Sequence, residues 1–141
     1  MLGNQLHKVD LNDLMGLISN GVPEGAQLEY KEALPGNDDE SKKEFLRDVS
    51  AMANTAGGDI IYGIREERPN DDAPAAEIVG ITGEDIDSRK LWMENLIRDG
   101  IEPRLTGVGI HVVSADGARS VFIVRVPRSW NGPHVVNFRK H

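Results

Sequence analysis

Apolar side chains recur at intervals of three and four residues in three stretches of the chain, which predicts three amphipathic helices. The predicted helices cover residues 10–20, residues 42 to about 54, and residues 84–100. Ser41, or an aspartate just before it, can cap the second helix. In the third helix, the predicted apolar positions are Ile86, Leu91, Trp92, Leu96 and Ile97.

Other stretches carry the patterns of β-strands. Residues 27–32 alternate between apolar and polar side chains, and residues 59–64 are almost continuously apolar, which predicts burial on both faces. Residues 115–118 have the composition of a hairpin turn, and residues 65–76 are predicted to form an acidic surface loop. Further strands are predicted at residues 77–81, 104–114 and 119–127, with an edge strand at 135–136. Together these elements predict an α+β fold, a two-layer domain with helices packed on a mixed or antiparallel sheet.

Composition narrows the class of protein. The 141 residues fit one domain, residues 1–141, which is large enough for a hydrophobic core. The absence of cysteine excludes disulfides and thiolate metal sites, and the four histidines lack the spacing of a zinc site. No stretch has the apolar length of a signal peptide or a membrane span. A soluble, cytoplasmic protein that does not enter a membrane is therefore expected.

Charge is distributed unevenly along the chain. The net charge is −7, which by itself argues against a nucleic-acid-binding protein. All 23 acidic residues, however, lie in residues 1–116 with 11 of the 16 lysines and arginines, which gives this part a net charge of −12. The basic residues of the remaining tail are Arg119, Arg125, Arg128, Arg139 and Lys140. Two interpretations stay open: the tail faces a polyanion, or it packs against the acidic body of its own chain or of a partner.

The first candidate for chemistry is a carboxylate pair beside a lysine. Glu29 and Lys31 lie on one face of the predicted strand, because side chains alternate with a period of two, and Glu24 precedes them by a few residues. Such a set could hold Mg²⁺ or Mn²⁺ and a phosphate, since these ions prefer oxygen ligands. From spacing alone, an exposed strand face with a Glu–Lys ion pair is the favoured interpretation.

The second candidate is the turn that contains Asn54, Thr55, Gly57 and Gly58. Glycines after a helix let backbone N–H groups approach a phosphate, although this is not a P-loop because no Gly-Lys-Ser or Gly-Lys-Thr follows. The alternative is a helix-to-strand turn that needs glycine for its backbone angles.

The third candidate is a group of basic side chains on the second helix and in the tail, which could neutralise phosphates. Trp130 could stack on a base if it is exposed, although packing is the commoner role of a tryptophan. The alternative for the basic residues of the helix is that they form a solvated helix face with no binding role.

Three segments together resemble one known family. They are EGAQLEYK at residues 24–31, FLRDVSAMANTAGGDIIYGI at residues 45–64, and IVGI at residues 78–81. The glutamates five residues apart, the Asn-Thr-x-Gly-Gly turn and the apolar strand ending in glycine resemble the Schlafen AlbA domain, as does the later Val-Pro-Arg-Ser…Gly-Pro-His segment. The resemblance extends over residues 11–138.

The resemblance implies two functions. Prokaryotic members are regarded as DNA-binding modules, often at the N-terminus of transcriptional regulators or ATPase-related proteins. The animal Schlafen core resembles a metal-dependent endoribonuclease that acts on structured RNA through two glutamates and a third acid after the apolar strand. Glu24 and Glu29 match the first two, and Glu66 is the best match for the third.

The sequence departs from the family pattern in several places. Gly25 stands where the family has serine, Tyr30 where phenylalanine is commoner, and the third acid is glutamate rather than aspartate. The animal cores pair two lobes, so a single lobe would need a homodimer to build a comparable cleft. The chain also ends abruptly for this family, which suggests the N-terminal part of a longer protein.

The expected function is therefore a nucleic-acid-binding module, with DNA the first target and RNA the second. Binding is expected to need no cofactor; the alternative, a ribonuclease, would use Mg²⁺ or Mn²⁺ held by Glu24, Glu29 and Glu66. The predicted nucleic-acid contacts are Lys31, Lys42, Lys43, Arg47, Asn54, Thr55, Gly57, Gly58, Arg125, Arg128 and Arg139. A third possibility, a protein-interaction or oligomerisation domain, fits the net charge best.

Overall fold

The structure, a computed structural model, describes residues 2–68 and 73–138. In chain order its elements are α1 (Leu11–Ser19), β1 (Leu28–Lys31), α2 (Asp39–Ala53), β2 (Gly58–Tyr62), β3 (Ile64–Glu66), β4 (Ala75–Ile78), α3 (Ile86–Gly100), β5 (Ile101–Glu102), β6 (Gly109–Ser114), β7 (Ser120–Val126) and β8 (Val135–Val136), with a short 3-10 helix at Leu6–Lys8. The predicted α+β class is confirmed. Within the described residues, no helix has the length and apolar character that a membrane span requires.

The main sheet has four strands in the order β1-β2-β7-β6. β1 runs parallel to β2, and the other two pairs are antiparallel. All five residues of β2 are buried, as the continuous apolar pattern predicted, because both faces of the sheet are covered. The side chains of Ile60 and Phe122 face a core formed with α2 and α3, whereas Ile61 and Ile123 face a second core formed with α1.

Residues 65–76 were expected to form a loop, and this expectation is wrong at both ends. After Gly63 the chain continues into β3, which pairs in an antiparallel manner with β4 and has an irregular register between Arg65 and Glu66. The strand predicted at residues 77–81 overlaps β4 only at residues 77–78, and β3 and the start of β4 are too short and too polar to show a period that distinguishes them from a loop. β8 pairs with β5 in a separate two-stranded sheet, which confirms an edge strand at 135–136.

The helices begin and bury their faces largely as predicted. The Asp38 side chain accepts a hydrogen bond from the Ser41 N–H, so α2 begins three residues earlier than expected. In α3 the expected apolar face is partly wrong: Ile86 and Leu91 are exposed, whereas Met93 is fully buried. The buried stripe of α3 consists of Met93, Ile97 and Gly100, spaced by four and three residues.

Candidate functional site

Three loops meet at one end of the domain, and we call their surface the loop face. It consists of residues 54–58, 103–108 and 127–134. Strand pairing brings the first and third loops together: Gly58 at the start of β2 lies opposite Val126 at the end of β7, so the turn before β2 and the segment after β7 leave the sheet side by side. The Ser129 N–H donates to the Ala53 carbonyl at 2.9 Å, which fixes the tail segment to the end of α2.

The two glycines of the turn are required by close packing of the backbone. Gly57 has a φ of 74°, and a Cβ there would lie 2.6 Å from the Arg128 nitrogen. A Cβ on Gly58 would lie 2.5 Å from the Gln27 carbonyl oxygen. Both glycines are buried, so this geometry supports the turn interpretation, and the predicted phosphate contact by their N–H groups has no structural support.

A network of hydrogen bonds centred on His134 joins the three loops. The Asn54 side chain accepts from the His134 N–H at 2.7 Å and donates to the His134 carbonyl at 2.8 Å. The buried His134 ring contacts the Pro103 carbonyl through Nδ1 at 2.6 Å and the Ser129 hydroxyl through Nε2 at 2.5 Å. Because a carbonyl only accepts, Nδ1 donates its proton to the Pro103 oxygen. We call this set of four residues the histidine network.

Trp130 projects from the loop that this network holds. Trp130 is 83% exposed, so it does not have the packing role that is commoner for a tryptophan. The Arg128 guanidinium lies over its ring, 4.0 Å from the ring centroid, in cation–π geometry. Trp130 is thus an exposed aromatic surface with a cation on one side.

The loop face carries no carboxylate in a strongly acidic domain. None of its three loops contains aspartate or glutamate, and Arg104 and Arg128 are both exposed. Asp59, directly after the first loop, is completely buried and bound to Arg125. Arg104 was not among the predicted contacts, although the absence of acidic residues from 103–108 is visible in the sequence.

Arg125 requires a correction, because its guanidinium is engaged inside the protein. Nε and Nη2 donate to the two Asp59 carboxylate oxygens at 2.8 and 3.0 Å. Nη1 and Nη2 also donate to the carbonyls of Asn4 and Leu2. The bond to Asp59 raises the pKa of Arg125. Arg125 therefore anchors the N-terminal segment and is not positioned for a phosphate.

A second surface lies along β1 and α2, and we call it the acidic cluster. It consists of Glu24, Glu29, Lys31, Glu44, Asp48 and Glu66. Lys31 Nζ lies 3.4 Å from Glu29, 3.8 Å from Glu44 and 3.5 Å from Asp48. The favoured Glu29–Lys31 ion pair is thus present, and three carboxylates already surround the lysine that was expected to contact phosphate.

Burial, and secondarily neighbouring negative charge, raises the pKa of two acids of this cluster. Burial, and secondarily the charge of Glu29, raises the pKa of Asp48 to about 6. Burial also raises the pKa of Glu24; the hydrogen bond from the Tyr30 N–H opposes this, while the charge of Glu66 and a hydrogen bond with it add to it. Two carboxyl groups can share a hydrogen bond only if one of them carries a proton.

The three predicted metal ligands are only partly brought together. Glu24 and Glu66 are in hydrogen-bond contact, and Glu24 Oε2 also accepts from the Tyr30 N–H at 2.7 Å. Glu29 instead faces Lys31. In residues 2–68 and 73–138, no group of three histidine or carboxylate side chains is arranged to hold a metal ion. In this arrangement the residues do not fit a three-carboxylate metal centre.

The basic residues of α2 do not join the loop face. Lys42 and Lys43 lie in the first turn and a half of the helix, about 17 Å along its axis from the turn at Asn54. Arg47 pairs with Glu40 at 3.0 Å, and Lys42 lies over the Phe138 ring. Arg139, also predicted as a contact, lies outside the described residues.

Comparison with solved structures shows which known fold the domain shares, and comparison with family models shows which family the chain belongs to. The chain has the fold of a solved domain, the N-terminal domain of "Putative ATP-dependent DNA Helicase RecG-related Protein" from Nitrosomonas europaea, with a TM-score of 0.60 and 16% identity, covering 89% of this chain and 81% of that one. The family model "Schlafen, AlbA_2" matches residues 24–141, so the chain belongs to the Schlafen AlbA family, as the sequence motifs indicated.

Two further comparisons add less. The DIP2311 protein from Corynebacterium diphtheriae is 20% identical, with a TM-score of 0.46, and the match covers 86% of this chain and 22% of that one. The chain therefore spans less than a quarter of that protein. No curated protein matches the chain.

Proposed function

We propose that this domain binds nucleic acid through the loop face, with DNA as the first target and RNA as the second. The observation that carries the proposal is a surface without carboxylates that presents two exposed arginines and an exposed tryptophan in a domain of net charge −7. Membership of the Schlafen AlbA family supports it. The similar domain from Nitrosomonas europaea belongs to a protein named for a DNA helicase, which is consistent with a nucleic-acid-related role.

The charge distribution defines the kind of binding to expect. Arg104 and Arg128 can neutralise about two phosphates, which corresponds to a slope of about −1.4 to −1.8 in log K against log salt. The acidic cluster repels the same polyanion, so the nucleic acid is held at the loop face and does not extend over α2. Affinity from charge alone is therefore modest, and it decreases only gradually as the salt concentration rises.

The test is a salt-dependent binding measurement with charge-reversed variants. Fluorescence anisotropy of a labelled DNA or RNA oligonucleotide is measured with the wild type and with the Arg104→Glu/Arg128→Glu variant. The proposal predicts at least a tenfold loss of affinity and a flatter salt slope. Lys90→Glu is the control. Lys90 lies near the start of α3, at the end of the domain where Ile81 pairs with Ser120, and this is the end of β7 opposite to the loop face. Equal losses in both variants would contradict the proposal.

The second candidate is a Mg²⁺- or Mn²⁺-dependent endoribonuclease that uses Glu24, Glu29 and Glu66. One observation favours it: Glu24 and Glu66, separated by 42 positions in sequence, are in contact. In addition, Glu24, Glu29 and Asp48 line one open cavity of about 500 Å³ that extends to Thr55. Glu29 would have to leave Lys31 before the three could act together.

This candidate is tested by incubating purified protein and labelled tRNA with and without Mn²⁺. It predicts cleavage that depends on the metal and disappears in Glu29→Gln, while RNA binding is retained. Unchanged cleavage by the variant would reject these residues as the site. Glu44→Gln, at an exposed carboxylate of the same cluster, is the matched control.

A further inference from the structure

We propose that the ligand of the loop face is an unpaired nucleotide whose base stacks on Trp130, so that the substrate class is single-stranded or locally unpaired nucleic acid. This inference rests on the proposed function and specifies it. It begins with the exposure of the ring: Trp130 is 83% exposed although Arg128 covers part of one face. The rest of the ring is open to a ligand.

The ring is exposed on a loop that is held in place. Ser129, the residue before Trp130, donates its N–H to the Ala53 carbonyl and bonds through its hydroxyl to His134. Asn131, the residue after it, donates its N–H to the Ser129 hydroxyl at 3.2 Å. Because its neighbours on both sides are fixed, Trp130 loses little backbone freedom on binding, and a preorganised surface binds more tightly than one that must be ordered.

The position of Arg128 favours a nucleotide over a purely apolar ligand. A guanidinium on the tryptophan ring places a positive charge beside the stacking surface, where the phosphate of a stacked nucleotide can reach it. The surrounding loops contain no carboxylate that would repel that phosphate. The aromatic ring and the cation thus match the two chemical parts of a nucleotide.

The small number of cations argues for an unpaired rather than a double-stranded ligand. Proteins that bind duplex through its backbone typically make about 6–10 phosphate contacts, whereas this face presents two arginines. A base inside a duplex is already stacked and presents only its edges, so Trp130 can stack only on a base that is unpaired. Each stacked base increases affinity by about 5- to 150-fold, and this contribution compensates for the weak electrostatic one.

The experiment compares four ligands by the fluorescence of Trp130 in a Trp92→Phe background, where Trp130 is the remaining tryptophan. The ligands are a single-stranded 12-mer of DNA, the same sequence in RNA, the DNA duplex, and an abasic DNA strand with the same number of phosphates. The inference predicts quenching by both single strands, with at least tenfold weaker binding of the duplex and of the abasic strand.

Variants separate stacking from charge. Trp130→Ala, made in the wild-type background and followed by anisotropy, should reduce single-strand affinity about 5- to 150-fold, while Trp130→Phe retains most of it. Leu91→Ala removes an exposed apolar side chain that lies on α3, outside the loop face, and should leave single-strand affinity unchanged. Thermal unfolding followed by circular dichroism verifies that each variant is folded.

The outcomes distinguish this inference from the proposed function. Equal binding of duplex, abasic strand and single strand, with no effect of Trp130→Ala but a loss in Arg104→Glu/Arg128→Glu, overturns stacking and leaves a phosphate-binding face. No binding of any of the four ligands overturns both, and Trp130 with Arg128 is then a contact for a protein partner.

Discussion

The loop face and the acidic cluster lie on the same domain but differ in the surroundings of their positive charges. The loop face is held by hydrogen bonds around His134, and its exposed charges, Arg104 and Arg128, lie in loops without carboxylates. The acidic cluster places three carboxylates around one lysine, and burial raises the pKa of two of its acids, Asp48 and Glu24. The comparison shows that the presence of a lysine or arginine does not define an anion site; the partners it already has decide whether it is available.

The largest expected effect concerns the ion pair that borders the loop face. Arg125→Ala leaves the completely buried Asp59 carboxylate without its guanidinium, which should reduce the free energy of unfolding by about 3–5 kcal/mol. Urea denaturation measures the loss. Lys31→Ala, which removes a half-exposed cation from the acidic cluster, should cost clearly less. A loss below about 1 kcal/mol for Arg125→Ala would show that Asp59 does not depend on this pair.

The next effect concerns the histidine network. Asn54→Ala removes two hydrogen bonds to the His134 backbone and should destabilise the domain by about 2 kcal/mol. It should also weaken nucleic-acid binding, because the loop that carries Trp130 keeps only the Ser129–Ala53 backbone bond of its attachments to the end of α2. Thr55→Ala is the control, because the Thr55 hydroxyl donates only to backbone carbonyls in the last turn of α2 and, among the described residues, forms no hydrogen bond with the other loops. Equal stability of the two variants would contradict a structural role for Asn54.

A smaller effect, with a defined pH dependence, is expected in the acidic cluster. The folded-state pKa of Asp48 is about 6, against an ordinary value of 3.8, so Asp48 binds more protons in the folded protein between these pH values. The wild type therefore loses stability from this group as the pH rises from about 4 through 6. Asp48→Asn removes that loss and should be more stable by about 1–2 kcal/mol at pH 8, with the advantage disappearing below pH 4.

Chemical unfolding of Asp48→Asn across this pH range measures the difference. Glu44→Gln, at the more exposed carboxylate of the cluster, provides the comparison and should show a weaker dependence. If Asp48→Asn is less stable than the wild type at pH 8, attraction to Lys31 outweighs the burial of the charge, and the acidic cluster is a net stabilising ion-pair network.

The smallest effect is expected on the outer face of α2. Arg47 forms an exposed pair with Glu40, and such pairs contribute about 0–1 kcal/mol. Arg47→Glu should therefore change nucleic-acid affinity by less than about twofold, since α2 leads away from the loop face. Anisotropy at low and physiological salt is the measurement. A loss as large as that of Arg104→Glu/Arg128→Glu would place the α2 basic residues in the interface after all.

The fold was predictable because its strongest elements have clear periods. The alternation of Leu28 and Tyr30 with Glu29 and Lys31, and the continuous apolar run of β2, are direct consequences of one-sided and two-sided burial. The pairing of β3 with β4 was missed, and the strand predicted at 77–81 overlaps β4 only at its last two residues, because these strands have three and four residues, too few for a period to stand out from the polar surroundings.

The candidate site was predictable only in part, because pairing depends on contacts distant in sequence. The absence of carboxylates from the tail is a local property that the sequence shows directly. That Arg125 is bound to Asp59 while Arg128 remains exposed depends on strand register, which places Arg125 opposite Asp59 in neighbouring strands. Asn54, Ser129 and His134 lie in the two motifs that carry the family resemblance, but the motifs do not show that these residues meet, because their contact is formed by the return of a loop over the end of α2.

The measurement that tests the central claim most directly is a titration of the isotopically labelled domain with a short single-stranded oligonucleotide, followed by amide and indole nuclear magnetic resonance signals at low salt. The loop face predicts that the Trp130 indole and the amides of Thr55, Arg104 and Arg128 shift together and saturably, while those of Glu29 and Asp48 stay in place. Shifts confined to the acidic cluster or to α2, or none on the loop face, would contradict it.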